Sequence, residues 1–336
     1  MDIEVVVNCA AGSAEAADAE RTRILEAFAL HGEEPRVAVV VGDALASAVE
    51  AAIERGADIL VVGGGDGTLG TAARAVAAAE VTLGVLPMGT FNHFAKDLGL
   101  PLDLDEAARV VVEGDTTTVD LGEVNDHVFV NNSSLGVYPV LVDVRDDIIG
   151  GRGWGKVRAA AVAGWRVLRR FPLRRLHIHA AGEQWDLRTP FVFIGNNSYE
   201  VGPTGIGART EMAQGQLCCY VAQVESRLGF LRMAVSAATR GSAQAPTLES
   251  VCTGDLEVRA HEHRILVALD GEITTLRAPL RYRSRPGALR VRVPTDRAAG
   301  PSSADAPEAG AGVETDADAD SDSDESSPAA ARASQE

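Results

Sequence analysis

The sequence predicts an N-terminal three-layer α/β domain followed by a mostly antiparallel β-rich second domain. Over the first hundred residues, apolar runs alternate with segments of helical periodicity, a pattern typical of a parallel sheet with helices on both faces. From about Asp115, short β-branched segments separated by turn residues replace that pattern, which indicates antiparallel strands. The last segment is acidic and of low complexity, so we expect it to be disordered.

The first domain, residues 1–114, is expected to contain four strands and three helices. The strands are IEVVVN, PRVAVVVGD, DILVVGGG and VTLGVLPMGT, and their apolar runs predict burial on both faces. The first two helices, AEAADAERTRILEAFALHG and ALASAVEAAIERG, end at Gly32 and Gly56, because glycine is the usual residue after a helix. The third helix begins at about Thr68.

The second domain, residues 115–297, is expected to be rich in strands. Those we predict include LRRLHIHA, PFVFIGNNS, QLCCYVA, LEVRA and RILVALDGE. The final segment of this second domain is expected either to stay within it or to pack back on the first domain. The tail, residues 298–336, carries ten acidic residues and one arginine.

Charge and composition exclude several classes of protein. The net charge of −17 argues against nucleic-acid binding, which needs a basic face. The start of the chain does not resemble a signal peptide, and no apolar run approaches the length of a membrane span. The four cysteines have neither metal-ligand spacing nor the pattern of a disulfide framework. We therefore expect a reducing cytoplasm.

A glycine turn, GGGDGT, follows the third strand and opens a helix. Glycines allow backbone to approach a ligand closely, and the helix N-terminus favours an anion such as phosphate. Asp66 lies inside this turn and would repel phosphate directly, which suggests a magnesium ion between them. The chain has only two lysines, and neither follows the turn, so a P-loop is excluded. The alternative is a turn that merely packs helix against strand.

A second small turn, PMGTFN, follows the next strand and contains Gly89, Thr90 and Asn92. Because neighbouring parallel strands end at one edge, we expect both turns to face one crevice. GGGDGT followed by PMGTFNHFAKDLGLP resembles the diacylglycerol kinase catalytic-domain family, over about residues 3 to 294. The resemblance implies ATP and Mg²⁺ as cofactors.

The resemblance also assigns residues to the nucleotide. It implies that Asp66 holds the metal that balances the phosphates. Asn8 and Gly12 match the family's first turn, although Cys9 and Ala11 replace its proline and serine. The implied nucleotide-binding residues are Asn8, Gly12, Gly64, Gly65, Asp66, Gly67, Thr68, Gly89, Thr90 and Asn92. His93 stands where many relatives have aspartate, and we interpret it as a helix-start or packing residue.

Asp270 and Glu272 flank a glycine in VALDGEITTL. Asp-Gly alone favours an ordinary hairpin turn. The resemblance reverses that interpretation: Glu272 is the implied base that accepts the proton of an alcohol, and Asp270 helps to position it. Phosphoryl transfer needs an oriented alcohol more than a strong base.

The family's separate structural magnesium site corresponds to Glu211 and Gln214. A glutamine oxygen is a poor substitute for a carboxylate, so we expect weak metal binding there. Paired asparagines at 131–132 and 196–197 end strands and are interpreted as turn formers rather than ligand contacts.

Residues 151–176 contain eight Lys or Arg residues, two tryptophans and no acid. Such a cationic helix suits an anionic bilayer surface, although packing of the tryptophans into the core is an equal alternative. The sequence thus predicts an ATP-dependent lipid kinase, with diacylglycerol as the default substrate. It would be cytoplasmic, would contact the membrane peripherally and could form a homodimer. The alternatives are a kinase of a soluble alcohol and a nucleotide-binding regulator without turnover.

Overall fold

The computed structural model describes residues 1–9, 13–136, 174–202, 205–209, 211–222 and 248–295. The described residues lie in one compact unit, Met1–Ala299. Gly12, the acidic tail and residues 151–173 of the basic segment lie outside the described residues. No helix in the described ranges has the length and apolar character needed to cross a bilayer.

The N-terminal part is the expected α/β arrangement. Its strands are β1 (Ile3–Asn8), β2 (Arg36–Val40), β3 (Ile59–Gly64) and β4 (Thr82–Pro87), all parallel, in the order β2-β1-β3-β4. Its helices are α1 (Ala14–Ala29), α2 (Ala44–Glu54), α3 (Asp66–Ala79), α4 (His93–Asp97) and α5 (Leu104–Glu113). Helix α3 begins two residues earlier than predicted.

Two apolar cores lie on opposite faces of the parallel sheet and confirm the three-layer prediction. Alternate residues of each strand point to opposite faces. Val5 and Val61 pack with α1 and α5, whereas Val6 and Val62 pack with α2 and α3. Burial on both faces is the reason that these strands are continuous apolar runs.

The second part is a β-sandwich, which confirms the β-rich prediction. Its strands are β5 (Asp115–Val124), β6 (His127–Phe129), β7 (Asn132–Gly136), β8 (Arg174–Ala180), β9 (Glu183–Thr189), β10 (Phe191–Asn196), β11 (Tyr199–Gly202), β12 (Gly205–Arg209), β13 (Leu217–Ala222), β14 (Leu248–Thr253), β15 (Asp255–Ala260), β16 (Arg264–Leu269), β17 (Glu272–Arg277) and β18 (Leu280–Val293). An antiparallel sheet ordered β14-β13-β10-β7-β16-β17 packs on strands β5, β8, β15 and β18 across a third apolar core.

The last strand joins the two parts of the chain. β18 pairs in parallel with β4 at Arg290 and Val291, and it pairs antiparallel with β5 and β15. The parallel sheet of the N-terminal part therefore continues directly into one sheet of the sandwich.

The cysteine spacings showed no disulfide framework, yet the structure contains one disulfide. Cys218 and Cys252 face each other across the antiparallel pair β13 and β14 and are bonded. They are 34 residues apart in sequence and are brought together by the register of the two strands. The spacing of cysteines along the sequence does not reveal that register. The argument from cysteine usage to a reducing compartment therefore loses its support.

Candidate active site

Two glycine turns that follow neighbouring strands touch each other. The first joins β3 to α3, and the second follows β4. A Cβ atom on Gly89 would overlap the Cα atom of Gly65, so this approach of two backbones requires glycine. The structure thus brings together most of the residues that the sequence predicted for nucleotide binding: Gly64, Gly65, Gly67, Thr68, Gly89, Thr90 and Asn92.

Asp66 begins α3, yet its carboxylate caps a different helix. Its Oδ1 atom accepts a hydrogen bond from the Phe94 amide (3.1 Å), and its Oδ2 atom accepts one from the His93 amide (3.2 Å). Both donors belong to the N-terminus of α4, where unpaired N–H groups favour negative charge. Asp66 therefore fastens the first turn to the second, a role that sequence reasoning missed. His93 opens α4, as we predicted.

Two asparagine side chains make hydrogen bonds at these turns. The Asn8 side chain donates to Thr68 Oγ1 (3.1 Å) and accepts from the Gly42 amide (3.2 Å). Asn92 has a left-handed backbone with φ of 52°. Its side chain accepts from the Gly89 amide (2.8 Å) and donates to the Gly89 carbonyl (2.9 Å). Asn92 therefore holds the backbone of the second turn, and Asn8 links Thr68 of the first turn to the loop at Gly42.

The Asp-Gly-Glu turn between β16 and β17 lies against two glycines of α3. A Cβ on Gly67 would lie 2.6 Å from Glu272 Oε1, and a Cβ on Gly70 would lie 2.8 Å from Asp270 Oδ2. These glycines leave room for the two carboxylates. The third predicted motif therefore meets the first, although the two are far apart in sequence.

Asp270 is held by backbone amides. Its carboxylate accepts hydrogen bonds from the amides of Val130 (2.8 Å), Asn131 (2.7 Å) and Asn132 (3.1 Å). Burial nevertheless raises the pKa of Asp270 to about 6, against the opposing effect of these donors.

Glu272 is accessible to solvent, but the surrounding walls desolvate its carboxylate and raise its pKa above the ordinary value. A carboxyl group with a raised pKa beside a cavity is suited to accept a proton.

Asn131 connects the acidic residues. Its side-chain Nδ2 atom lies 3.4 Å from Asp66 Oδ1, and its backbone N–H donates a hydrogen bond to the Asp270 carboxylate. The Tyr199 hydroxyl donates to its carbonyl (2.9 Å). The sequence interpretation of Asn131 as a turn former gave no indication of this central place.

Arg209 supports Asn131 from behind. The guanidinium is fully buried and donates to Asn131 Oδ1 (2.9 Å), to the Val130 carbonyl (2.7 Å) and to Asp97 Oδ2 (2.6 Å). It therefore ties β12 to α4 and to the loop that carries Asn131. Sequence reasoning missed this residue, because its partners are all distant along the chain.

Gln214 is engaged in hydrogen bonds rather than open to a metal. Its side-chain oxygen accepts from the Ser198 hydroxyl (2.8 Å), the Ser198 amide (3.2 Å) and the Gln216 side chain (2.9 Å). Glu211 is exposed. Within the described ranges, no three His, Cys, Asp or Glu side chains gather in a way that could hold a metal.

A cavity of about 650 Å³ opens beside Glu272 and runs along α3. One wall is formed by α2 and α3, and the other by β6 and the hairpin of β16 and β17. Gly67 and Gly70 lie at the same end as Glu272, and Ala78 lies further along the helix. A small molecule could therefore reach the carboxylates through this cavity.

Fold and site together define a class of protein in which an α/β domain with paired glycine turns is joined to a β-sandwich. Residues 2–124 match the model of the diacylglycerol kinase catalytic domain. Residues 155–293 match the YegS C-terminal NAD kinase beta sandwich-like domain. A Pseudomonas aeruginosa protein named "Probable lipid kinase YegS-like" is 33% identical over 263 residues, which cover 73% of this chain and 80% of that protein. The chain belongs to the diacylglycerol kinase catalytic-domain family.

Other relatives match more narrowly or by fold alone. A diacylglycerol kinase of Staphylococcus saprophyticus is 40% identical over 98 residues, 29% of this chain. The match spans about a third (32%) of that relative's length. A diacylglycerol kinase crystal structure from Bacillus anthracis aligns with a TM-score of 0.61 at 18% identity, covering 87% of this chain and 96% of that one. At this identity the likeness concerns the fold.

Proposed function

We propose that this protein transfers the γ-phosphoryl group of Mg·ATP to the hydroxyl of a lipid, with diacylglycerol as the first candidate. The observation that carries the proposal is the meeting of three motifs: the two glycine turns and the Asp270–Glu272 turn. A phosphoryl donor on the glycine turns would have a carboxylate beside it and a cavity for an acceptor. The family membership supports the same reaction.

Each group has a distinct role in this proposal. The first N–H groups of α3 have no intrahelical partner and are suited to phosphate oxygens. Glu272 accepts the proton of the acceptor alcohol, and Asp270 keeps the turn in place through its three amide donors. Most of the catalysis comes from orientation and charge neutralisation rather than from base strength.

Magnesium fits the site as an ion carried chiefly by the nucleotide. Mg²⁺ usually keeps several waters and binds one or two carboxylates together with substrate phosphates, and Asp66 is the carboxylate at the phosphate turn. Both of its oxygens already accept a backbone N–H, and each retains lone-pair capacity. When bound, the metal supplies positive charge for the phosphates.

A lipid acceptor implies contact with a bilayer. We propose that the protein reaches this surface reversibly, through the basic segment 151–176. Of that segment, only Arg174 to Leu176 are described, as the start of β8. An assembly of two copies remains a prediction.

Two substitutions test the division of roles. Asp66→Asn should weaken Mg·ATP binding as well as turnover, because an amide cannot balance the cation and caps α4 less well. Glu272→Gln should leave nucleotide affinity near wild type while kcat falls by about 10²-fold or more. Calorimetric titration with Mg·ATP and initial rates with radiolabelled ATP measure both quantities.

A matched control is Glu34→Gln, which removes an exposed carboxylate just before β2, at the strand ends opposite the glycine turns, and should change neither quantity. Near-normal turnover of Glu272→Gln would remove Glu272 from the mechanism. A wild-type protein that binds ATP but phosphorylates no lipid in a broad panel would favour the soluble alcohol or the regulator.

A further inference from the structure

The Asn131 side chain lies between Asp66 of the first glycine turn and the buried guanidinium of Arg209. It is 4% exposed and belongs to the loop between β6 and β7. Building on the proposed function, we propose that a side-chain N–H of Asn131 donates a hydrogen bond to the phosphoryl group during transfer. Arg209 is then the positioning residue that fixes the direction of this donor.

The orientation of the Asn131 amide is determined by its neighbours on both sides. Arg209 Nη2 donates a hydrogen bond to Asn131 Oδ1 (2.9 Å), and an arginine has donors but no acceptor. On the other side, Asn131 Nδ2 faces Asp66 Oδ1, and an ionised carboxylate can only accept. A flipped amide would place donors against donors at Arg209 and acceptors against acceptors at Asp66. The N–H groups of Asn131 therefore point to the glycine turn.

Asp66 leaves the hydrogen-bonding capacity of this donor largely unused. The distance of 3.4 Å between Asn131 Nδ2 and Asp66 Oδ1 is longer than the usual range of about 2.7–3.2 Å for an N–H···O bond. The same oxygen already accepts the Phe94 amide at 3.1 Å. Since an asparagine nitrogen carries two N–H groups, it can tighten on a phosphoryl oxygen, as catalytic hydrogen bonds often do when substrate binds.

The acidic character of the site makes a neutral donor useful at this position. Asp66, Asp270 and Glu272 all lie where the three motifs meet, and an ionised carboxylate cannot donate to a phosphoryl oxygen. The first N–H groups of α3 belong to the α/β part, whereas Asn131 belongs to the β-rich part, so it would supply a donor from the second wall of the site. Donors aimed at the charge of the transferring group are a main source of catalysis in phosphoryl transfer.

Arg209 acts through Asn131 and does not reach a substrate itself. Its side chain is 0% exposed, and its three nitrogens donate to Asp97, to the Val130 carbonyl and to Asn131. Two aromatic rings enclose the guanidinium, with centroids 5.8 Å and 5.9 Å from its central carbon. Because Asp97 balances its charge, Arg209 contributes the direction of the Asn131 amide rather than a positive charge at the phosphates.

Two substitutions at position 131 separate polarity from shape. Asn131→Asp keeps the shape and the acceptor for Arg209 but loses the N–H groups, whereas Asn131→Ala loses all three. We expect kcat at pH 8 to fall about 10²-fold or more in Asn131→Ala, and at least as far in Asn131→Asp. A merely structural role predicts the reverse order, because aspartate retains the contact with Arg209. The control Gln184→Glu makes the same change on an exposed residue of β9 and should leave kcat unchanged. A kcat of Asn131→Asp that exceeds that of Asn131→Ala by about 3-fold or more would overturn the proposal.

A double-mutant cycle tests whether Arg209 acts through Asn131. The variant Arg209→Met/Asp97→Leu removes the guanidinium without leaving a buried charge, so the Asn131 amide is no longer held in one orientation. We expect kcat of this variant to fall about 10-fold or more. Adding Asn131→Ala should lower kcat further by less than about 5-fold, because most of the effect of the donor is already lost. A full loss of about 10²-fold in this background would show that the two residues act independently and would refute the positioning role.

Calorimetric titration with Mg·ATP separates this inference from the proposed reaction. The dissociation constant of Asn131→Ala should stay within about 3-fold of wild type, because the donor acts chiefly on the transferring group. That of Asn131→Asp should rise about 10-fold or more, because a carboxylate oxygen repels phosphate. Wild type that binds Mg·ATP but phosphorylates no lipid would refute the proposed kinase, while this order of affinities would still support the amide orientation. Lipid phosphorylation by Asn131→Asp at the wild-type rate would refute the inference and leave the kinase intact.

Discussion

Removing the guanidinium of Arg209 should unfold the protein at a lower temperature. In Arg209→Met, Asp97 loses its arginine partner at 2.6 Å while its side chain remains only 9% exposed. Asn131 Oδ1 and the Val130 carbonyl each lose a donor as well. Breaking a buried ion pair by deleting one partner costs about 3–5 kcal/mol. At about 2 °C per kcal/mol for a chain of this size, Tm should fall by about 6–10 °C.

Differential scanning calorimetry at pH 7 measures this shift. The matched control is Arg281→Met, which removes an ion pair with Glu257 whose arginine is 75% exposed, and which should cost less than about 1 kcal/mol. The double variant Arg209→Met/Asp97→Leu should recover much of the lost stability, because no buried charge is left. It should not recover turnover, since Asn131 still lacks its support. An Arg209→Met protein that melts within 1 °C of wild type would refute the reasoning.

Three further predictions concern the site and the surface. Gly89→Ala should push the two glycine turns apart and lower turnover about 10²-fold. The control Gly254→Ala, at a glycine with open space around it, should leave turnover unchanged. Equal turnover in the two variants would contradict the close contact of the turns. Burial raises the folded pKa of Asp270 to about 6, so the stability that its protonated carboxyl contributes is present at low pH and is lost as pH rises through 6. The free energy of unfolding of wild type, minus that of Asp270→Asn, should therefore decrease from pH 4 to pH 7. An increase in this difference would mean that the amide donors outweigh burial. Changing Arg169, Arg170, Arg174 and Arg175 to Glu should abolish sedimentation with anionic liposomes, and unchanged sedimentation in low salt would exclude the basic segment.

Local patterns were sufficient to predict the α/β part of the fold. The strands around Val6 and Val62 are buried on both faces, so each is a contiguous apolar run that is visible in sequence. The glycine turns were visible as well, because backbone contact such as that of Gly65 with Gly89 permits no larger residue.

Long-range contacts could not be predicted in the same way. Arg209 has partners at positions 97, 130 and 131, and no spacing rule connects an arginine in a short strand to them. The capping of α4 by Asp66 has the same origin, since the carboxylate reaches a helix that belongs to the next βα unit. The pairing of Cys218 with Cys252 depends on strand register alone.

Because β4 pairs with β18, it is synthesised long before the strand that covers its edge in the finished sheet. While the ribosome is still translating the sandwich, β4 lacks the neighbour that it has in the finished sheet, and an unpaired strand edge is a template for wrong association. At about 5–20 residues per second, the edge stays open for on the order of ten to forty seconds before β18 emerges. The N-terminal half should therefore depend on chaperones during translation more than its regular α/β pattern suggests.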